Sequence, residues 1–347
     1  MKISYIFKKI KNMRYKEYVN HAKIVADKMN KSTLSVLFDM AKCALLYGSG
    51  YMDYFEFEFY LLNGKERKTY LTGKYNNDIV KRYNRKEDWH LLEDKGEFNK
   101  LFKEYLGREF LDLRDASFKE FKEFIYNKEK IVCKPLDNCG GKGIEIIPVD
   151  NLRQAINLID KSIFKNEYNV LKLYNSIMKK EQFLLEEVVI QNKELSKLYS
   201  GSVNTLRVIT FLDNTGTTRI LNTILRIGNN GNVDNFSSGG MYTFVNESGI
   251  VYVPAIDEVG RIYYEHPKTH EKIVGFKVPD FDKVFSFVDK LSKRVPTIRY
   301  VGWDIVITEN NICVIEGNEY PGVFQVKPSI SGIKTGDLPK FKKYMDL

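Results

Sequence analysis

Residues 300–322 read YVGWDIVITENNICVIEGNEYPG, two runs of β-prone residues, Trp303–Ile307 and Ile312–Ile315, on either side of the polar tripeptide Glu309-Asn310-Asn311. Asn tolerates the left-handed backbone that short hairpin loops need, so the stretch predicts a β-hairpin. A three-residue loop centred on Asn310 sets Asp304 directly opposite Glu316, with Asn318 two residues on and on the same face. Opposed side chains have Cβ atoms about 5 Å apart, and two carboxylates at that spacing repel unless something positive lies between them. Hard oxygen ligands of this kind suit Mg²⁺ carrying nucleotide phosphates, which makes Asp304, Glu316 and Asn318 a candidate magnesium site. A two-residue loop at Asn310-Asn311 would instead put the two acids on opposite faces, as solvated carboxylates of an ordinary hairpin.

Working outward, the next informative stretches lie upstream. Ser202–Phe211, SVNTLRVITF, alternates about Arg207 and presents a guanidinium on one face of a strand, as a salt bridge or as a bidentate anion clamp. Asn214-Thr-Gly216 turns into a second strand, Arg219–Ile227, which holds Arg226, and Asp234–Gly240 follows as a loop of small polar residues and glycines around Asn235. Gln182–Ile190 reads as a buried strand with adjacent acids; one of Glu186 and Glu187 must face away from the core and the other needs a partner to stay ionised.

Ile131–Ile147 is a strand, a glycine-rich turn and a second strand, a hairpin with its tip at Asn138–Gly143. The glycines Gly140, Gly141 and Gly143 let backbone N–H groups approach an anion, and Lys134 and Lys142 supply charge. It is not a P-loop, because a strand follows and no Gly-Lys-Ser/Thr occurs. Residues 151–180 read as a polar helix pair, and Asp88–Leu113 as mostly helical, with Asp94-Lys95 opening a segment that Gly107 stops. Several strands joined by turns after a helix pair make an α+β chain with an antiparallel sheet covered by helices on one face, and the tail Val323–Leu347 is expected to cover that sheet.

The first ninety residues are different. Ile3, Ile6, Phe7, Ile10 and Met13 recur at helical spacing among Lys8, Lys9, Lys11 and Arg14, a basic amphipathic helix that packs on its own domain or touches a membrane surface. Leu34–Tyr47, ending at Gly48, reads as a buried helix too short and too interrupted to span a bilayer. Tyr51–Tyr60 alternates as Phe55-Glu-Phe57-Glu-Phe59 and is strand or loop.

The 347 residues carry 54 Lys and Arg against 45 Asp and Glu, a net charge of +9 that favours polyanionic partners such as nucleotides, acidic glycans or an anionic membrane. No arginine-rich tract or zinc-finger spacing is present, which argues against nucleic acid. Four cysteines without a CxxC pair, and no secretory pattern, lead to the expectation of a reduced, cytoplasmic protein. His266-Pro-Lys-Thr-His270 is read as a loop, since proline argues against a helical histidine pair.

Taken in order, a lysine-bearing glycine-rich hairpin, a strand ending in paired acids, an arginine strand, an Asn and Gly-Gly loop and an Asp…Glu-x-Asn hairpin resemble the ATP-grasp fold of ATP-dependent ligases. The wording SVNTLRV, LRIG, DNFSSGG, GWDI and IEGN is most similar to the sugar-transfer associated ATP-grasp proteins, associated with bacterial surface-polysaccharide synthesis. The resemblance runs from about Leu91 to Pro321. It implies an atypical, mostly helical region over 1–90, a subdomain with the glycine-rich lid over 91–190, and a C-terminal subdomain with the metal site over 191–347, the two subdomains clasping ATP.

By the same resemblance, Lys95 and Lys134 contact ATP phosphates and the tip Asn138–Gly143 is a lid over them. Glu186, Glu187, Val188 and Val189 form the hinge that receives adenine, and Glu194 is the candidate for ribose. Arg207 and Asn235, assisted by Arg226, steady the transferred phosphoryl, and Asp304, Glu316 and Asn318 hold magnesium, with two ions expected. The implied activity is an ADP-forming carboxylate–amine ligase joining an amino acid or other acid to an amino sugar or a sugar- or lipid-linked precursor. A kinase on the same scaffold and a non-catalytic nucleotide-binding protein are the competing readings.

Overall fold

The computed structural model describes residues 15–126, 128–136, 143–150, 162–231, 234–236 and 239–347. The basic segment before Tyr15, most of the glycine-rich tip (Asn138, Gly140, Gly141 and Lys142 among it) and residues 151–161 of the helix pair expected over 151–180 lie outside the described residues. The chain divides into two compact units, Met1–Arg82 with Gly322–Leu347, and Tyr83–Pro321.

In the first unit, helices Tyr15–Met29 and Thr33–Tyr47 meet through Ala22, Val25 and Ala26 on one and Val36, Met40 and Cys43 on the other, joined in one core by Tyr54, Phe57, Phe59 and Tyr70. Asn30 at φ +51° and Gly48 at φ +66° end the two helices, and the Ser32 side chain accepts from Ser35 N at the start of the second. Thr33–Tyr47 is not buried all round, because Leu34, Phe38, Leu45 and Leu46 face solvent. Tyr51–Tyr60 is neither strand nor loop. The Asp53 carboxylate accepts from Gly50 N at 2.7 Å and starts a helix at Tyr51–Glu56, so the local cap overrides the alternating pattern.

The tail belongs to this unit. Gln325 exchanges two hydrogen bonds with the Leu71 backbone (3.1 and 2.9 Å), and Ser329 donates to Glu58 from N and Oγ at 2.8 and 2.7 Å.

The second unit holds two antiparallel sheets. Strands β1 (Phe110–Asp112), β2 (Lys130–Lys134), β3 (Glu145–Pro148) and β4 (Leu184–Glu187) form a four-stranded sheet in the order β1-β4-β2-β3. Strands β5 (Leu206–Leu212), β6 (Thr218–Ile227), β7 (Met241–Phe244), β8 (Ala255–Asp257), β9 (Ile262–Tyr263), β10 (Tyr300–Ile307) and β11 (Ile312–Asn318) form a seven-stranded sheet in the order β11-β10-β5-β6-β7-β8-β9. Side chains alternate across it. Leu206, Val208, Leu225, Val301, Trp303 and Ile305 point into one core with Val284, Val288 and Leu291 of helix Val284–Arg294, which leaves Arg207, Arg226 and Asp304 for the opposite face.

Candidate functional site

The β10–β11 hairpin brings Asp304 opposite Glu316 by a route other than the expected loop. Thr308 N donates to Asn311 O at 2.8 Å, so the turn is the two residues Glu309-Asn310, and Ile307 pairs with Ile312. That register alone would set Ile315 against Asp304. A β-bulge between Asp304 and Ile305 inserts Ile315 as an extra residue and restores the pairing of Asp304 with Glu316 and of Gly302 with Asn318.

On its other side Asp304 pairs with Arg207 of β5. Arg207 Nε and Nη2 grip the two Asp304 oxygens, the second at 2.8 Å, and Arg226 Nη1 from β6 donates to Oδ2 at 2.8 Å. Arg226 Nη2 donates to Asn235 Oδ1 at 2.9 Å, and Arg226 lies 3.7 Å from Asp234, which Thr205 in turn holds through N and Oγ1. A Cβ on Gly302 would come within 3.1 Å of the Arg207 Cδ, so glycine leaves room for the arginine stem. Burial opposes ionisation of Asp304, but Arg207 and Arg226 outweigh it and hold its pKa down to about 2. Burial in the cleft and the Asp304 carboxylate push Glu316 up. Asn318 Nδ2 donates to Gly302 O at 3.2 Å and reaches Glu316 Oε1 at 3.4 Å.

Two carboxylates and an amide oxygen on one face are a hard-donor set that fits a magnesium ion. Arg207 Nη2 also lies 3.8 Å from Glu316 Oε1, so the arginine borders both acids. Among the described residues no group of three His, Cys, Asp or Glu is placed to hold a metal ion, so a metal bound here would need Asn318 as its third donor.

The second cluster is built on β2 and β4. Lys134, at the end of β2, pairs with Glu186 of β4, whose other oxygen accepts from Arg108 Nη2 at 2.8 Å and from Asn99 Nδ2 at 2.7 Å. Glu186 is nearly fully buried; burial would raise it, yet Arg108 and Lys134 hold its carboxyl well below the usual range. Burial pushes the Lys134 amine down, and Glu186 offsets part of that. Glu187 faces the other way, accepting from Glu109 N at 2.7 Å and pairing with Lys128 at 3.3 Å.

These clusters share one cavity of about 520 Å³, within the range of small-ligand pockets. Lys134, Glu186, Glu187, Val188, Val189, Arg207, Arg226, Asn235, Asp304, Glu316 and Asn318 all line it. Lys95 and Glu194 do not. Lys95 opens helix Lys95–Leu101 and reaches Leu136 O at 3.3 Å, at the edge of the glycine-rich turn, while Glu194 is exposed and paired with Lys197 at 2.7 Å. Gly143 is at φ +76°, and its carbonyl accepts from Gln182 Nε2 at 2.8 Å. His266 is a core residue, with Nε2 against Gly228 O at 2.9 Å and Nδ1 accepting from Lys268 N and Thr269 N.

Sequence reasoning missed Arg108, Asn99 and the anchoring role of Asp234. Arg108 follows the helix-ending Gly107 and sits in no periodic pattern, so only the folded register of β1 against β4 reveals it.

Among solved structures, the chain is similar to a D-alanine–D-alanine ligase from Bacillus anthracis, at 12% identity and a TM-score of 0.38 over 78% of this chain and 71% of that one. It is also similar to a biotin carboxylase from Campylobacter jejuni, at 13% identity and a TM-score of 0.40 over 79% and 52%. A third is the biotin carboxylase domain of the 2-oxoglutarate carboxylase from Hydrogenobacter thermophilus, at 15% identity and a TM-score of 0.42 over 76% and 49%, so the chain spans about half the length of the last two. No curated protein matches. The family model described as sugar-transfer associated ATP-grasp matches residues 74–333, well over half of the sequence and the whole of both clusters. The chain belongs to the sugar-transfer associated ATP-grasp family, and its α+β fold is the ATP-grasp fold.

Proposed function

We propose that the protein is an ADP-forming carboxylate–amine ligase, joining an amino acid or other carboxylic acid to an amino sugar or a related sugar- or lipid-linked surface precursor in the cytoplasm. The observation that carries this reading is the convergence of Lys134, Arg207, Arg226, Asp304 and Glu316 on a single cavity, cationic and anionic groups disposed for a polyphosphate and its cation. A carboxylate is a poor electrophile. Phosphorylation by ATP makes it an acyl phosphate, and an amine then attacks the carbonyl carbon as inorganic phosphate leaves.

Each residue has a task in that sequence. Lys134, held by Glu186, places an ammonium against the phosphate chain, with Lys95 at the mouth of the glycine-rich turn. The end of β4 and the two residues after it, Glu186 to Val189, offer backbone groups and apolar surface to adenine; the acid side chains already have protein partners, so the ring edge is left to the backbone. Arg207 and Arg226, with Asn235 orienting the latter, neutralise charge on the phosphoryl group in flight. Asp304, Glu316 and Asn318 would hold magnesium, up to two ions, whose charge offsets that of the γ-phosphoryl group and of ADP. No covalent enzyme nucleophile is required.

The direct test is transfer of a heavy-oxygen label from the substrate carboxylate to inorganic phosphate. Label in phosphate supports an acyl phosphate. No label in phosphate and the labelled acid recovered unchanged, with ADP and a phosphorylated hydroxyl compound formed instead, assigns the chain to the kinases.

A further inference from the structure

The charge of +9 is not shared between the two units. Met1–Arg82 with Gly322–Leu347 hold 21 Lys and Arg against 10 Asp and Glu, a net +11, whereas Tyr83–Pro321, which contain the whole cavity, hold 33 against 35, a net −2. The surplus positive charge therefore belongs to the unit that does not line the cavity.

The basic unit also exposes apolar surface in an ordered pattern. Helix Thr33–Tyr47 buries Val36, Met40 and Cys43, while Leu34, Phe38 and Leu45 stand 76, 83 and 57% exposed. With the exposed Ala41 they follow i, i+4, i+7 and i+11, an arc of about 60° directly opposite the core stripe. Single exposed leucines are ordinary; a continuous ridge is not. Lys42 stands exposed beside the ridge and Lys31 at its start, while the helix's one acid, Asp39, is gripped by Arg67 at 2.8 and 2.7 Å. The segment before Tyr15 adds Lys2, Lys8, Lys9, Lys11 and Arg14 by sequence.

We propose that helix Thr33–Tyr47 docks on an anionic lipid surface, its Leu34, Phe38 and Leu45 entering the boundary between headgroups and acyl chains, with Lys31 and Lys42 on the lipid phosphates. An apolar ridge rimmed by lysines is the chemistry of an interfacial helix, whose long basic side chains reach up to the headgroups. A second copy of the chain is disfavoured because it would bring two units of net +11 together. The basic segment before Tyr15 would likewise meet Lys31 and Lys42, whereas all three are attracted to one anionic surface.

The test is flotation of the full chain with vesicles of pure phosphatidylcholine and of an equimolar phosphatidylcholine–phosphatidylglycerol mixture. Binding is expected only to the anionic vesicles, weakening with salt. The Leu34→Ser/Phe38→Ser/Leu45→Ser variant is expected to bind about tenfold or more weakly with an unchanged Tm, since these side chains leave the core untouched. As a second readout, Phe38→Trp should shift its emission to the blue with anionic vesicles alone. The proposal is overturned by absence of wild-type binding, by wild-type affinity in the triple variant or an unshifted Phe38→Trp spectrum, or by a dimer in solution that the triple substitution abolishes without vesicle binding.

Discussion

Asp304 and Glu316 face each other although the turn between their strands is one residue too short to set them there; the bulged Ile315 makes up the difference. Pairing and turn length are thus separable. Deleting Ile315 should straighten the strand and keep Asp304 opposite Glu316, so Mn²⁺ binding, read by the paramagnetic signal of the free ion, should stay near wild type. ATP affinity should fall, because Ile315 lines the cavity. Loss of Mn²⁺ binding in a folded deletion variant would mean that the bulge itself shapes the metal site.

The two acids differ in what surrounds them, and their substitution should separate activity from stability. Asp304→Asn and Glu316→Gln should each abolish turnover. Asp304→Asn leaves Arg207 and Arg226 buried against a neutral amide and should cost about 3 kcal/mol in urea unfolding. Glu316→Gln should change stability by less than about 1 kcal/mol, because its charge is already disfavoured beside Asp304. Near-normal turnover in either variant would remove that residue from the metal set.

Lys134 is buried beside a single carboxylate and borders the cavity. Lys134→Ala should weaken Mg-ATP binding about tenfold or more, measured by titration calorimetry. An unchanged affinity would make the lysine a structural partner of Glu186 and nothing else.

The Glu186 carboxyl has a folded-state pKa below its ordinary value of 4.5. Its stabilisation is therefore fully present above that value and is lost as pH falls through the lower, folded-state one. Glu186→Gln should lower stability at neutral pH by about 3 kcal/mol, since Arg108 and Lys134 lose their counter-ion. The difference between wild type and variant should shrink only in acid. A difference that stayed flat through the acid range would show that the charge on Glu186 is not what holds the cluster.

The sheet and most of the cavity were legible because they rest on period-two alternation and on polar residues that interrupt it. Arg207, Arg226, Asp304, Glu316 and Lys134 each break an apolar strand, and the fold sets them in one place. What could not be read depends on single local events. The bulge at Ile315 has no sequence mark. The Asp53 cap starts a helix at Tyr51 that runs into the alternating aromatic stretch, and the rest of that stretch is a turn followed by the 3-10 segment Phe59–Leu61. The tail is tied to Glu58 and Leu71 by hydrogen bonds of long sequence separation, which no local pattern announces. Helix Thr33–Tyr47 looked buried because apolar residues occupy both faces, and periodicity does not say which face the core takes.

The ligase reading is tested most directly by nucleotide turnover with Mg-ATP, a panel of amino acids and small carboxylic acids, and hydroxylamine as a generic amine. The account predicts ADP and phosphate, with a hydroxamate appearing for one acid of the panel. ADP formed without hydroxamate or free phosphate, together with a phosphorylated hydroxyl compound, would contradict it.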